Sequence, residues 1–244
     1  MKACGAGRGD SDAASDVTER SRRRPRVLIG FTGSVASIKA AELVASLTLL
    51  ADVKVVVTAA AKHFLSVDAL PLARPGEDVY GDEDEWREWR SVGDPVVHID
   101  LRRWADILLI APLSANTLAK LANGLCDNLL TCVFRAWDFS DQQKRVLLAP
   151  AMNTFMWESP FTRRHLETLL ELGGSSPRES DRCWYAAAGR GGLTGEKATV
   201  RVIDPVEKVL ACGDVGNGAM ANVHTITEKV ADCALELDLP APPQ

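Results

Sequence analysis

The sequence predicts an α/β fold in which a parallel sheet lies between layers of helix. Three observations predict it. Residues 26–31 (RVLIGF), 107–110 (ILLI) and 145–149 (RVLLA) are short apolar runs, the length of strands buried on both faces. Each run ends in small or polar residues that open a turn, and the segments that follow carry apolar residues at helical spacing. The chain has 244 residues, 46% hydrophobic and 25% charged, which fits one α/β domain with tails or at most two small ones.

Composition also narrows the function. A net charge of -5 with a pI of about 5.5 argues against a nucleic-acid partner. No run approaches the ~18 apolar residues of a membrane span. The six cysteines, Cys4, Cys126, Cys132, Cys183, Cys212 and Cys233, form no C-x-x-C pair, and the four histidines form no H-E-x-x-H pattern. Neither a zinc site nor a disulfide framework is expected, and a reducing, cytoplasmic setting is the simpler reading.

Residues 1–24 are rich in Gly, Ser, Asp and Arg and nearly free of large apolar side chains, so a disordered tail is expected. Residues 26–31 form the first strand, Thr32-Gly33-Ser34 a turn, and 38–50 a helix. Gly30 and Gly33 allow a close backbone approach, and Ser34 adds a hydroxyl where a helix start favours an anion. The spacing matches neither G-x-G-x-x-G nor the Walker pattern, so a phosphate site and an empty tight turn both remain open there. Residues 53–58 are the second strand, with Thr58 at its end, and 59–65 a short helix. Residues 71–81 read as loop. Residues 83–90 (EDEWREWR) read as a short amphipathic helix with Trp86 and Trp89 inward, a packing surface.

His98 stands just before a helix expected near Asp100. It is either a partly buried histidine satisfied by backbone or a general acid or base. In residues 107–128 the strand is expected to stop at Pro112, which has no amide hydrogen for a ladder. Ser114, Asn116 and Thr117 are helix-capping residue types, and Leu118, Leu121, Ala122 and Leu125 follow at helical spacing. A strand that hands over to a polar turn and a helix is where parallel sheets bind ligands, and a well-capped helix with no ligand is the other reading of this joint. A second helix covers 129–137. Residues 145–149 end in Pro150-Ala151-Met152-Asn153, where Asn153 either meets a carboxylate or amide or caps the next segment; Pro160 then admits a helix over 161–172. Residues 209–220 set three glycines around Cys212, which suggests a mobile flap or a backbone close to a ligand. Residues 223–237 form a last helix, and 238–244 a tail.

Three stretches together carry a resemblance. PLSANTLAKLANGLCDNLLT (112–131), PAMNTFMW (150–157) and ACGDVGNGAMA (211–221) resemble the flavin-binding segment, substrate-binding motif and substrate flap of the flavin-dependent cysteine decarboxylases. TGSVAS (32–37) and HIDLRRWAD (98–106) bring the match closest to the family's stand-alone, plant-type members in coenzyme A biosynthesis. The resemblance covers 26–173 and 202–230, hence a single domain over 25–237; residues 174–200 have no counterpart and read as an insertion.

The resemblance implies a flavodoxin-like three-layer fold, FMN at the strand ends, and a homotrimer with active sites at subunit interfaces. By motif position, Gly33, Ser34 and Val35 lie at the FMN phosphate with Thr58 nearby. Ser114, Ala115, Asn116 and Thr117 touch the flavin and Met152 packs by it. Asn153 holds the substrate carboxylate, His98 is the active-site histidine, and Cys212 donates a proton. The implied substrate is the small molecule phosphopantothenoylcysteine, decarboxylated through a thioaldehyde and an ene-thiolate to phosphopantetheine. Direct loss of carbon dioxide would leave an unstabilised carbanion; prior oxidation of the C–S unit supplies the electron sink. Asn222 stands where the family often has glutamate. The alternatives are a flavoprotein relative with another substrate and a phosphatase-regulating binding subunit. The ACGD flap favours the pantothenoyl substrate, and the joint presence of His98, Asn153 and Cys212 favours an enzyme.

Overall fold

A computed structural model of the chain describes residues 23–72, 78–87, 89–174, 198–209, 215–237 and 239. The strands β1 (Arg26–Phe31), β2 (Asp52–Val57), β3 (Val79–Tyr80), β4 (Ile107–Leu113), β5 (Arg145–Pro150) and β6 (Val200–Val202) form one parallel sheet in the order β3-β2-β1-β4-β5-β6. The helices are α1 (Ala40–Thr48), α2 (Asp82–Arg87), α3 (Val97–Trp104), α4 (Ala115–Ala122), α5 (Leu129–Arg135), α6 (Thr154–Glu158), α7 (Pro160–Leu172) and α8 (Val223–Glu236). A separate antiparallel pair, β7 (Val206–Val209) and β8 (Val215–Ala219), lies outside the main sheet.

The alternation of strand side chains divides the interior into two cores, one on each face of the sheet. Val27, Ile29 and Phe31 of β1 and Ile107, Leu109 and Ala111 of β4 meet Leu43, Val44 and Leu47 of α1 and Ile226 and Val230 of α8. Leu28, Leu108 and Ile110 meet Leu101 of α3, Leu118 of α4, Leu130 of α5 and Leu166 of α7. These are the helix layers of the expected three-layer fold. Without the two-residue edge strand β3, the order reduces to the flavodoxin pattern; with it, the order is that of the doubly wound dinucleotide folds. Both orders reverse between β1 and β4, so the crevice for a ligand opens beyond the ends of those two strands.

Leu109 sits at the centre, paired in register with Ile29 on one side and Leu147 on the other, and fully buried. Leu109→Ala is expected to destabilise the protein by about 2–5 kcal/mol, because the fixed strands around it cannot collapse into the cavity. A urea midpoint equal to that of the parent chain would contradict this.

Several expectations need correction. Pro112 does not stop β4; the strand runs to Leu113, and its register with β5 shifts between Ile110 and Leu113. The proline sits in that irregularity, where its missing donor breaks no ladder bond. Leu113 consequently faces the same core as Leu108 and Ile110. Leu125 is outside α4, which ends at Ala122, and is 55% exposed after Gly124 turns the chain with φ +69°. Trp86 and Trp89 do not point inward: they are 76% and 49% exposed, and Glu85 is the buried side chain of α2. β3 lies inside the stretch read as loop. Arg23 and Arg24, placed in the tail, are anchored: Arg23 makes a two-pronged ion pair with Asp106 at 2.6 Å, and Arg24 donates to the Thr48 and Ala51 carbonyls. Of the remaining tail and insertion, residues 1–22, 175–197, 238 and 240–244 lie outside the described residues.

Candidate functional site

The loop after β1 and the loop after β4 are tied together by Thr32. Its hydroxyl is fully buried, donates to the Pro112 carbonyl at 2.7 Å and accepts from the Ser114 amide at 2.8 Å. The Thr32 carbonyl in turn accepts from the Ser37 hydroxyl at 2.9 Å. One threonine thus sets the spacing of the two loops at the switch point. Gly33 follows it for a steric reason: a Cβ there would stand 2.7 Å from the Cβ of Ala60 in the loop after β2. Thr58 closes that second loop, donating to the Phe31 carbonyl at 3.1 Å and accepting from the Ala61 amide at 3.3 Å.

A cavity of about 500 Å3 opens between these loops; Gly33, Ser34, Val35, Ser114, Ala115 and Asn116 form one side of it. Met152 and Asn153, with Gly218 of β8, form the other. A second compartment of about 300 Å3 shares Gly33, Ser114 and Asn116 with the first and adds Thr58, Thr117 and Lys120. Ser34 caps a short 3-10 helix (Val35–Lys39), its hydroxyl accepting from the Ala36 amide. Ser114 caps α4, its hydroxyl oxygen accepting from the Thr117 amide at 3.3 Å. Capping occupies Ser114 and the Thr117 backbone, while Asn116 stays exposed and reaches both compartments.

Asn153 caps α6 through one half of its amide. Its Oδ1 accepts from the Met156 amide at 2.8 Å, which leaves the two N–H donors of the side chain for the cavity it lines. The β8 strand is held against this turn. The Met152 amide donates to the Gly218 carbonyl at 2.9 Å, and Gly218 has φ +123°. Any other residue there would be strained and would place a Cβ 2.5 Å from the Met152 carbonyl oxygen.

Electrostatics differ between the two compartments. The larger is walled by apolar atoms of Val35, Ile38, Phe64, Met152, Met156 and Met220. The smaller holds the Lys120 ammonium, bound at 2.6 Å to Asp127, and that ammonium keeps the Asp127 carboxyl below its ordinary range. An apolar slot joined to a compartment of hydroxyls, amides, the carboxylates of Asp82 and Asp127 and a lysine paired to the latter suits a planar aromatic ring with a polar tail. Among the described residues no cluster of His, Cys, Asp and Glu is placed to hold a metal ion, and no helix is long and apolar enough to cross a membrane.

The expected site residues therefore fall into three groups. Gly33, Ser34, Val35, Thr58, Ser114, Ala115, Asn116, Thr117, Met152 and Asn153 line the two compartments. His98 lines neither. It lies in the first turn of α3 rather than before it, with Nδ1 at 2.5 Å from Oε1 of the buried Glu85. Cys212 lies outside the described residues, in the sequence between β7 and β8. Thr32 and Lys120 are additional residues of the site. Lys120 was legible, standing one turn beyond Asn116 on the same face of α4; Thr32 was not, because its role depends on a loop 80 residues away.

The family model described as Flavoprotein matches residues 15–235. Phosphopantothenoylcysteine decarboxylase of Arabidopsis thaliana is 47% identical over 222 residues, 91% of each chain. The mouse (Mus musculus) protein of the same name is 46% identical over 210 residues, 85% of this chain and 86% of the mouse protein. Among solved structures, a PPC decarboxylase variant complexed with pantothenoylaminoethenethiol superposes with a TM-score of 0.70 at 48% identity, over 86% of this chain and 97% of the other. The FMN-binding protein AtHal3 superposes at 0.67 with 49% identity, over 86% and 96%. A sheet that reverses beside two polar loops, matched over nine-tenths of the chain, places this protein in the Flavoprotein family, among the phosphopantothenoylcysteine decarboxylases.

Proposed function

We propose that the chain, as one flavoprotein domain over 25–237, decarboxylates phosphopantothenoylcysteine to phosphopantetheine with FMN as its cofactor. The observation that carries the reading is the joint cavity. An apolar slot meets a polar compartment at the β1/β4 switch point, and Asn153 turns its free amide N–H groups into the same space. FMN supplies the two-electron oxidation and reduction of the C–S unit that carbon dioxide loss requires.

The chain's own residues do the rest. Ser34, Thr58 and the backbone at Gly33 hold the phosphate end, Ser114 to Thr117 form the wall along the flavin, and Met152 packs against it. The Asn153 amide donates to the substrate carboxylate and orients it over the ring system. His98 acts as general base or orienter during oxidation and loss of carbon dioxide. Cys212 returns a proton to the product-forming carbon.

His98 lines neither of the two compartments of its own chain, and this is the reason to extend the proposal to a homotrimer with active sites between subunits. Ile38 and Met156 line the cavity yet are 66% and 50% exposed, and Phe155 on α6 and Phe161 at the start of α7 are 77% and 68% exposed, apolar surface that a neighbouring copy would cover. The neighbour's His98 would then complete the site. Cys126, Cys132 and Cys233 are free thiols, in keeping with a reducing cytoplasm.

Purified protein is expected to be yellow, to carry about one FMN per chain, and to release carbon dioxide from phosphopantothenoylcysteine. A colourless protein that does not take up added FMN would exclude the reading, and a yellow one that releases none from this substrate would exclude the substrate.

A further inference from the structure

α2 is arranged against ordinary hydrophobic logic. It is a six-residue helix of sequence DEDEWR that turns Trp86 out to solvent and Glu85 in. Burying a carboxylate while exposing an indole costs stability, so the arrangement needs another explanation. The Glu85 side chain is 7% exposed, and its Oε1 lies 2.5 Å from Nδ1 of His98. Cys132, one turn along α5 from its cap Asn128, lies near the same carboxylate, its Sγ–H donating to the Cys126 carbonyl at 3.4 Å. Burial and the Glu85 charge push the Cys132 thiol up to about 12, so it stays a neutral S–H beside the carboxylate. Asp82 at the start of the same helix accepts from the Leu129 amide at 3.1 Å and lines the polar compartment, fixing α2 against the site.

We infer that Glu85 is the positioning residue for His98: its carboxylate accepts the Nδ1–H, holds the ring in one orientation and leaves Nε2 bare as the working nitrogen. Free neutral imidazole carries its proton mainly on Nε2, which would present a donor where a base is needed. A carboxylate on Nδ1 selects the other tautomer, and the partner on one ring nitrogen decides what the other can do. The inference deepens the proposed function, since it rests on His98 meeting substrate.

The test compares Glu85→Leu, which removes the acceptor at similar volume, with His98→Asn, both in the FMN-loaded full-length protein. Glu85→Leu is expected to lower kcat about 10–100-fold with KM and FMN content unchanged. The 15N shifts of the His98 ring, assigned by their loss in His98→Asn, are expected to change from an Nδ1–H to an Nε2–H pattern. Full kcat in Glu85→Leu beside an inactive His98→Asn overturns the positioning role alone. Full activity in His98→Asn overturns the assigned role of His98 and this inference with it. If Glu85→Leu does not fold, the parent protein decides: an Nε2–H tautomer there overturns the inference, and an Nδ1–H tautomer supports it.

Discussion

His98→Asn is expected to lower turnover about 10²–10⁴-fold while the protein keeps its FMN, because the cofactor walls contain no part of His98. Asparagine is close in size and polar, so α3 should form as before; what is lost is the imidazole nitrogen that takes up a proton. The more telling experiment mixes defects. If each site joins Asn153 of one chain to His98 of its neighbour, co-expressing His98→Asn with Asn153→Asp in equal amounts assembles some interfaces where both intact residues meet. In a ring of like subunits joined head to tail, that share is about a quarter of the sites, so roughly a quarter of parental activity should return from two inactive parents. If both residues serve the same subunit, no chain carries an intact pair and the mixture stays inactive. That outcome would end the interface model and require a motion to bring His98 to its own cavity.

The strands that carry the site were legible because physical chemistry marks both of their ends. β1 is bounded by Arg26 and by the polar turn at Thr32, and its observed extent, Arg26–Phe31, is the run read from sequence. α4 was legible from a cap followed by helical periodicity, and Ser114 does cap it. β3 escaped because two residues make no pattern. Pro112 misled because a proline ends a ladder only where its missing donor was needed, and here the ladder is already irregular. Trp86 and Trp89 misled for a deeper reason. Amphipathic reasoning sends indoles inward, but a buried partner for His98 took that face of α2, and a contact between residues 13 apart in sequence leaves no periodic trace. The walls of the two compartments come from contiguous motifs and could be read. The groups that touch Thr32, Glu85 and His98 come from elements separate in sequence and needed the fold.

Asn153→Asp is expected to cost about 10²–10³ in kcat/KM and to leave both fold and flavin intact, and the geometry says why those effects separate. Asn153 does two things with one amide. Its Oδ1 caps α6 by accepting from the Met156 amide at 2.8 Å, and aspartate, equally good at an N-cap, keeps that bond. Its Nδ2 supplies the donors, and aspartate replaces them with a second carboxylate oxygen. A hydrogen bond to a charged group is worth about 1.5–3 kcal/mol, and repulsion between two carboxylates in a partly desolvated cavity adds to its loss. Asn153→Ala provides the opposite separation. It removes the cap at a cost of about 0.5–2 kcal/mol and removes the donors without adding charge, so it should be less stable than Asn153→Asp yet less impaired in kcat/KM. Urea midpoints and steady-state kinetics on the two variants read these quantities independently. Equal kcat/KM for Asn153→Asp and the parent chain would remove Asn153 from carboxylate recognition and reduce it to a helix cap.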